Sequence, residues 1–78
     1  MNSITGSVTR SGSPARVYVR LLDRNGEFVG EVATDKDGGF TFFAAPGDWS
    51  VRVIGEEAAS DITVTLADSD AIPLAISI

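Results

Sequence analysis

The sequence of 78 residues contains no cysteine and no histidine. Without cysteine the chain can form no disulfide, no thiolate metal site and no thiol nucleophile. Without histidine it lacks the side chain that most often acts as a general base near neutral pH. Carboxylates, hydroxyls, Tyr18 and Lys36 are the groups that remain for chemistry. These absences predict a protein that is not an enzyme and that holds no cofactor and no metal ion.

Long apolar runs and clusters of basic residues are also missing. No apolar stretch reaches 18 residues, and residues 1–6 contain no basic region followed by an apolar run. The sequence therefore predicts neither a membrane span nor a signal peptide. We expect a cytoplasmic protein without a membrane partner, or an extracellular one if the domain is part of a longer exported chain. The net charge of −5 disfavours a nucleic-acid partner, because the phosphate backbone is also negative.

The composition is that of an ordinary globular protein, with 44% hydrophobic and 22% charged residues. A chain of this length can build one hydrophobic core, so we predict a single domain over residues 1–78. The charge is unevenly placed. Every basic side chain lies within residues 1–54, where six acidic residues balance the six basic ones, and residues 55–78 carry the whole acidic surplus.

Apolar and polar residues alternate along most of the chain, which indicates half-buried β-strands and not helices. Turn residues separate these segments, with Asn25-Gly26 as the strongest hairpin signal and residues 11–14 as a break. The pattern predicts an all-β, seven-stranded antiparallel two-sheet sandwich. The predicted strands are residues 4–9, 15–22, 28–34, 40–44, 49–54, 61–66 and 72–78.

Several segments carry a resemblance to the transthyretin-like or prealbumin-like sandwich, in the branch of carboxypeptidase regulatory domains and bacterial adhesin repeats. The segments are ITGSV at residues 4–8, ARVYV at 15–19, TDKDGGFTF at 34–42 and PGDWSV at 46–51. The resemblance implies that the second, third, fifth and sixth predicted strands form one sheet. It places the first, fourth and seventh in the other.

Two further segments, VRLLD at residues 19–23 and FFAAPGDW at 42–49, resemble a family of small actinobacterial proteins of unknown function. Members of that family are often encoded beside thiosulfate sulfurtransferases, which implies a cytosolic accessory role in sulfur metabolism. They typically carry an N-terminal extension that contains cysteine, and this sequence has none.

Three further functions lack the residues that they need in this sequence. The related hydroxyisourate hydrolases use histidines and a Tyr-Arg-Gly-Ser tail, whereas this sequence ends in AISI. The segment DKDG at residues 35–38 begins like a calcium loop, but Pro46 stands where the bidentate acid is needed. The isopeptide bond of adhesin modules needs lysine and asparagine, and both Lys36 and Asn25 fall in predicted turns. We expect none of these functions.

The aromatic residues divide between the two faces of their strands. Phe40, Phe42 and Trp49 fall in phase with the apolar positions and are predicted to be core residues, as is Phe28. Phe43 and Tyr18 fall out of phase and are predicted to face outward. Gly6 is predicted to leave room for a large neighbouring side chain such as that of Trp49.

Two surfaces are candidates for contact with a protein partner. Arg16, Tyr18, Arg20 and Arg52 would form a basic and aromatic strip if their strands are neighbours. The alternative is an ordinary solvated face, with Arg52 paired to Glu31 or Asp61.

The second candidate is an edge strand at the C-terminal end, where Pro73 and uncharged neighbours would permit pairing with a second copy as a homodimer. Its proposed contact residues are Ile72, Leu74, Ile76 and Ile78. The sequence thus predicts a non-catalytic protein-binding module of unknown partner. The alternative functions are a carbohydrate-linked or cell-surface adhesin-type module and a hydrolase that uses carboxylates.

Overall fold

The computed structural model describes residues 2–54, 61–68 and 71–78. Within these ranges no helix is long and apolar enough to cross a membrane. The described residues form eight strands: β1 (Ser3–Arg10), β2 (Ser13–Pro14), β3 (Tyr18–Leu22), β4 (Phe28–Ala33), β5 (Gly39–Phe43), β6 (Gly47–Ile54), β7 (Ile62–Leu66) and β8 (Ala71–Ser77).

The strands form two sheets. One has the order β4-β3-β6-β7, with every neighbouring pair antiparallel. In the other, β1 lies in the centre with β5 and the short β2 along one side and β8 along the opposite side. The predicted all-β sandwich and the implied division of its strands between two sheets are confirmed.

The structure has one strand more than the seven predicted, namely β2, which lies where the sequence predicts only a break. Ser11 and Gly12 both have positive φ, of 52° and 83°, which is the backbone of a tight two-residue hairpin turn. The turn folds Ser13 and Pro14 back against the end of β1. The predicted strand 15–22 accordingly begins only at Tyr18.

The pair formed by β1 and β8 is parallel, while the other described pairs are antiparallel. A short hairpin forces two strands to be antiparallel, but β8 follows β7 of the opposite sheet and pairs with the first strand of the chain. Its direction is therefore decided by the crossover between sheets.

The core lies between the sheets, and inward positions of both contribute to it. Phe40 and Phe42 are buried there with their ring centroids 5.9 Å apart, as predicted. A Cβ at Gly6 would lie 2.5 Å from Cζ of Phe40, so this glycine accommodates Phe40 and not Trp49. The buried cluster is Ile4, Val8, Ala15, Val19, Leu21, Phe40, Phe42, Val51, Val53, Val64, Leu66 and Ile76.

Two aromatic assignments differ from the sequence prediction. Phe28 is 61% exposed, because a bulge beside Leu21 and Leu22 shifts the register of β4 and pairs Phe28 with Leu22. Trp49 is only half-buried, since it packs against the rim of the core and its Nε1 donates to the Ala45 carbonyl over 2.9 Å.

Candidate functional site

The outer face of the four-stranded sheet carries the predicted strip. On β3, Val19 and Leu21 turn into the core, so Tyr18 and Arg20 turn outward. Cross-strand partners lie on the same face, and Arg20 is the partner of both Glu31 on β4 and Arg52 on β6.

Four charged side chains form a ladder across this face. Arg20 donates to Glu31 Oε1 through Nε at 3.1 Å and Nη2 at 2.9 Å. Arg52 donates to both carboxylate oxygens of Asp61 over 2.7 and 2.8 Å. The order Glu31, Arg20, Arg52, Asp61 thus encloses two neighbouring cations between two anions. The two arginines, which would repel each other alone, are each held by an acid.

The ion pair between Arg52 and Asp61 shifts the pKa of both side chains. Hydrogen bonds from Arg52 hold the pKa of Asp61 below its ordinary value, and the bonded carboxylate raises the pKa of Arg52. Both side chains remain well exposed, so solvent screens much of this attraction. The pair orients the Arg52 guanidinium more than it stabilises the fold.

Arg20 also contacts an exposed aromatic ring. Its Cζ lies 5.2 Å from the centroid of the Phe28 ring, within the range of a cation–π contact. Phe28 and its neighbour Val29 are 61% and 48% exposed, and Tyr18 is 57% exposed on the other side of Arg20. Large apolar side chains therefore flank the charge ladder on neighbouring strands.

Arg16 lies beside this face, in the segment before β3. The buried hydroxyl of Thr34 holds that segment: it accepts a hydrogen bond from the Val17 amide over 2.9 Å and donates to the Ala15 carbonyl over 2.8 Å. Arg16, Val17, Tyr18, Ala33 and Thr34 line a depression of about 180 Å³. Arg16 is exposed and makes no ion pair with the residues that the structure describes.

The structure therefore brings Tyr18, Arg20 and Arg52 together on one face and places Arg16 at its border. The alternative pairing of Arg52 with Asp61 is also present. Phe28 and Val29 belong to the same surface and were not among the predicted site residues. The hairpin signal at Asn25-Gly26 correctly predicts that a strand follows it. The alternation of apolar and polar residues does not reveal the bulge that turns Phe28 outward.

The predicted edge-strand contact has a different geometry from the one expected. Among the described residues, β8 pairs with β1 alone, so it is an edge. Its aliphatic side chains, Ile72, Leu74, Ile76 and Ile78, pack against the core. A contact along β8 would use its backbone and the exposed residues Ala71, Pro73, Ala75 and Ser77. A homodimer through this strand stays a prediction.

The acidic turn at residues 35–38 has a local structural role. Asp35 Oδ1 accepts hydrogen bonds from the backbone amides of Asp37 at 2.9 Å and Gly39 at 2.8 Å. Such bonds are those of an Asx turn. The carboxylate is therefore already engaged in holding the connection from β4 to β5.

Comparison with known proteins places the chain in a family. Residues 2–78 match the model of DUF1416, described as a protein of unknown function. The chain belongs to this family. It is 43% identical over 63 residues to an uncharacterized protein of Mycolicibacterium smegmatis, covering 78% of this chain and 70% of that protein. An uncharacterized protein of Mycobacterium tuberculosis is 41% identical over 63 residues, and there the match covers 78% of this chain and 63% of the relative.

Solved structures show the same fold at low sequence identity. The Bacillus anthracis TIE protein superposes with a TM-score of 0.85 at 10% identity, over 97% of this chain and 16% of that one. The major pilin subunit BcpA of Bacillus cereus gives 0.77 at 18% identity, covering 99% and 29%. The 5-hydroxyisourate hydrolase of Klebsiella pneumoniae gives 0.69 at 22% identity, covering 96% and 89%. The transthyretin-like fold implied by the resemblance is confirmed.

Proposed function

We propose that this DUF1416 domain is a non-catalytic module that binds a protein partner through the outer face of its four-stranded sheet. We call this surface the arginine face and define it by Arg16, Tyr18, Arg20, Phe28 and Arg52. The observation that carries the proposal is the exposure of Tyr18 and Phe28, at 57% and 61%, on either side of an arginine already held in place.

Residue type and geometry both support a binding role. Tyrosine, phenylalanine and arginine are enriched in the cores of protein interfaces. Side chains that are already ordered lose less entropy when a partner binds. The bonds from Arg20 to Glu31 and from Arg52 to Asp61 supply that order. A flat face with fixed guanidinium groups and exposed rings therefore suits recognition of a folded surface or an extended segment.

A catalytic role has less support. The chain has no histidine and no cysteine, and Asp35 is engaged in a turn. The likeness to the 5-hydroxyisourate hydrolase supports a common fold and, at 22% identity, transfers no activity. The two carboxylates on the arginine face, those of Glu31 and Asp61, are each engaged by an arginine.

The resemblance described above supplies the first partner to test. A domain related to proteins encoded beside thiosulfate sulfurtransferases is a candidate cytoplasmic accessory to such an enzyme. The alternative is a cell-surface module, which the fold shared with a pilin subunit favours. The two hypotheses differ in the partner, a soluble enzyme in one and a surface glycan or adhesin in the other.

The test is a calorimetric titration of the purified domain with the sulfurtransferase encoded nearest to it. We expect a complex whose Kd rises at least about tenfold when Tyr18→Ala or Phe28→Ala removes a central aromatic contact. Lys36→Ala is the control, because Lys36 is exposed in the turn between β4 and β5 and lies on the outer face of neither sheet.

If the partner is a different protein, photocrosslinking can detect it. A photoreactive residue is placed at position 29, on the arginine face, in cells that express the protein, and the crosslinked proteins are analysed. Crosslinks to a different protein from position 29 but not from position 41 on the opposite sheet would support the arginine face. Equal losses of affinity in all three alanine variants, or crosslinks to a different protein from position 41 alone, would contradict it.

A further inference from the structure

The outer face of the other sheet has an unusual composition. Its outward positions alternate with the buried residues of β1, β5 and β8. None of them bears a charge, although the chain has 17 charged residues. We call this surface the uncharged face, and it consists of Ser3, Thr5, Ser7, Thr9, Gly39, Thr41, Phe43, Ala71, Pro73, Ala75 and Ser77.

The cross-strand register arranges these residues in rows. Thr5 lies at the centre, between Thr41 on β5 and Pro73 on β8. In the neighbouring row, Ser3 lies between Phe43 and Ala71. Phe43 is 68% exposed and is the single large side chain on the face. One side of the face is therefore raised by a ring, and the opposite side is low.

We propose that the uncharged face binds a second copy of this chain face to face, about a two-fold axis that runs along β1. This rotation places β5 of each copy over β8 of the other, within the same rows. The raised Phe43 then meets the low positions Ala71 and Pro73 of the other copy, twice by symmetry. Thr5 meets its own counterpart at the centre.

Electrostatics favours a second copy as the occupant. Two chains of charge −5 repel each other, and the repulsion is weakest where the facing strand positions carry no charge. The Asp35 carboxylate borders the face beside Gly39, two rows away from Phe43. The acid–base ladder of the arginine face lies on the opposite side of each domain. The rows also provide the complementarity of shape, since the ring and the small residues that receive it belong to the same face.

The size of the face sets the strength of this contact. Three strands of about seven residues cover about 23 by 14 Å, or about 300 Å² on each copy. Stable interfaces bury about 800 Å² on each partner. We therefore expect a weak, reversible dimer, which added salt strengthens by screening the net charge.

Sedimentation velocity over a range of concentrations, at low and high salt, tests the proposal on the whole chain. The decisive variant is Thr5→Lys, which brings two cations together on the axis, and we expect it to weaken dimerisation at least about tenfold. Thr63→Lys is the matched control, since Thr63 is an exposed strand threonine on the opposite sheet. It should leave the dimer constant within about twofold.

A charge swap separates a lost contact from a lost fold. Thr5→Lys and Thr5→Glu should each be monomeric, and an equimolar mixture of the two should form a mixed dimer, because the two positions face each other. A strict monomer at high micromolar wild-type concentration would overturn the proposal. So would a dimer that persists in Thr5→Lys, which would place the contact at the β8 edge, or a mixture that stays monomeric.

Discussion

The two outer faces of this sandwich occupy equivalent positions in the fold and differ in almost every chemical respect. The arginine face carries Arg20 and Arg52, which are bound to Glu31 and Asp61, beside exposed aromatic rings. The uncharged face carries hydroxyls, methyl groups and one phenylalanine. Period-two alternation turns both sets of residues to solvent. The arginine face carries charges that are paired within the domain, whereas the strand residues of the uncharged face carry none. Strand alternation thus determines which residues are outside, and residue type determines what the outside can bind.

The sheets beneath the two faces also differ in how tightly they pack. Gly6 on β1 lies against the Phe40 ring and the Leu74 carbonyl, and a Cβ there would come within 3.0 Å of both. Gly30 on β4 has no atom within 4 Å of the same position. The sheet of the uncharged face is therefore closely packed at its central strand, whereas the edge of the other sheet is open.

The largest expected effect comes from this pair of glycines. Gly6→Ala should lower the free energy of unfolding by about 2–3 kcal/mol, because the Phe40 ring and the β8 backbone must both move. Gly30→Ala should leave it unchanged or raise it by up to about 1 kcal/mol, through reduced freedom of the unfolded chain. Urea denaturation of both variants checks the contrast, and equal costs would show that the difference in packing is absent in solution.

Two threonines provide a second and smaller contrast. Thr34→Val removes the hydroxyl that bonds the Ala15 carbonyl and the Val17 amide and should cost about 1–2 kcal/mol, because both backbone groups lose their partner. Thr41→Val removes a hydroxyl whose contact is an exposed one, to Thr5 at 3.5 Å. That control should change the stability by less than about 0.5 kcal/mol. Thermal unfolding of the two variants measures both effects.

The smallest effect concerns pH and is confined to the arginine face. Because Arg52 lowers the pKa of Asp61 below its ordinary value of 3.8, the pair stabilises the folded state above that pH. The contribution is lost as the pH falls through the lowered pKa. Asp61→Asn should therefore melt slightly below the wild type at pH 7 and equally with it well below pH 4. High salt should reduce the difference, and a gap that grows in acid would contradict this assignment.

The sequence supported a good part of the candidate site because strand alternation is local. Tyr18 and Arg20 share a face by their spacing alone, and Tyr18 and Phe43 were correctly predicted to be exposed. The ladder depends on cross-strand register, so its pairing of Arg52 with Asp61 could be weighed only as an alternative. Simple alternation along β4 predicts Phe28 in the core. A bulge inserts one residue into β4 and reverses the phase of the pattern, so Phe28 lies outside.

The amino-acid sequence by itself determined the fold class, the inward residues Phe40 and Phe42, and the lack of the thiol and imidazole groups on which many catalytic sites depend. Composition and period-two alternation are sufficient for these properties, because each depends on residue type and nearest neighbours. The tertiary structure decided the parallel pairing of β1 with β8, the outward turn of Phe28 and the gathering of eleven uncharged residues on one face. Those features join residues that are distant in the chain, and their geometry is set by how the two sheets pack across the core.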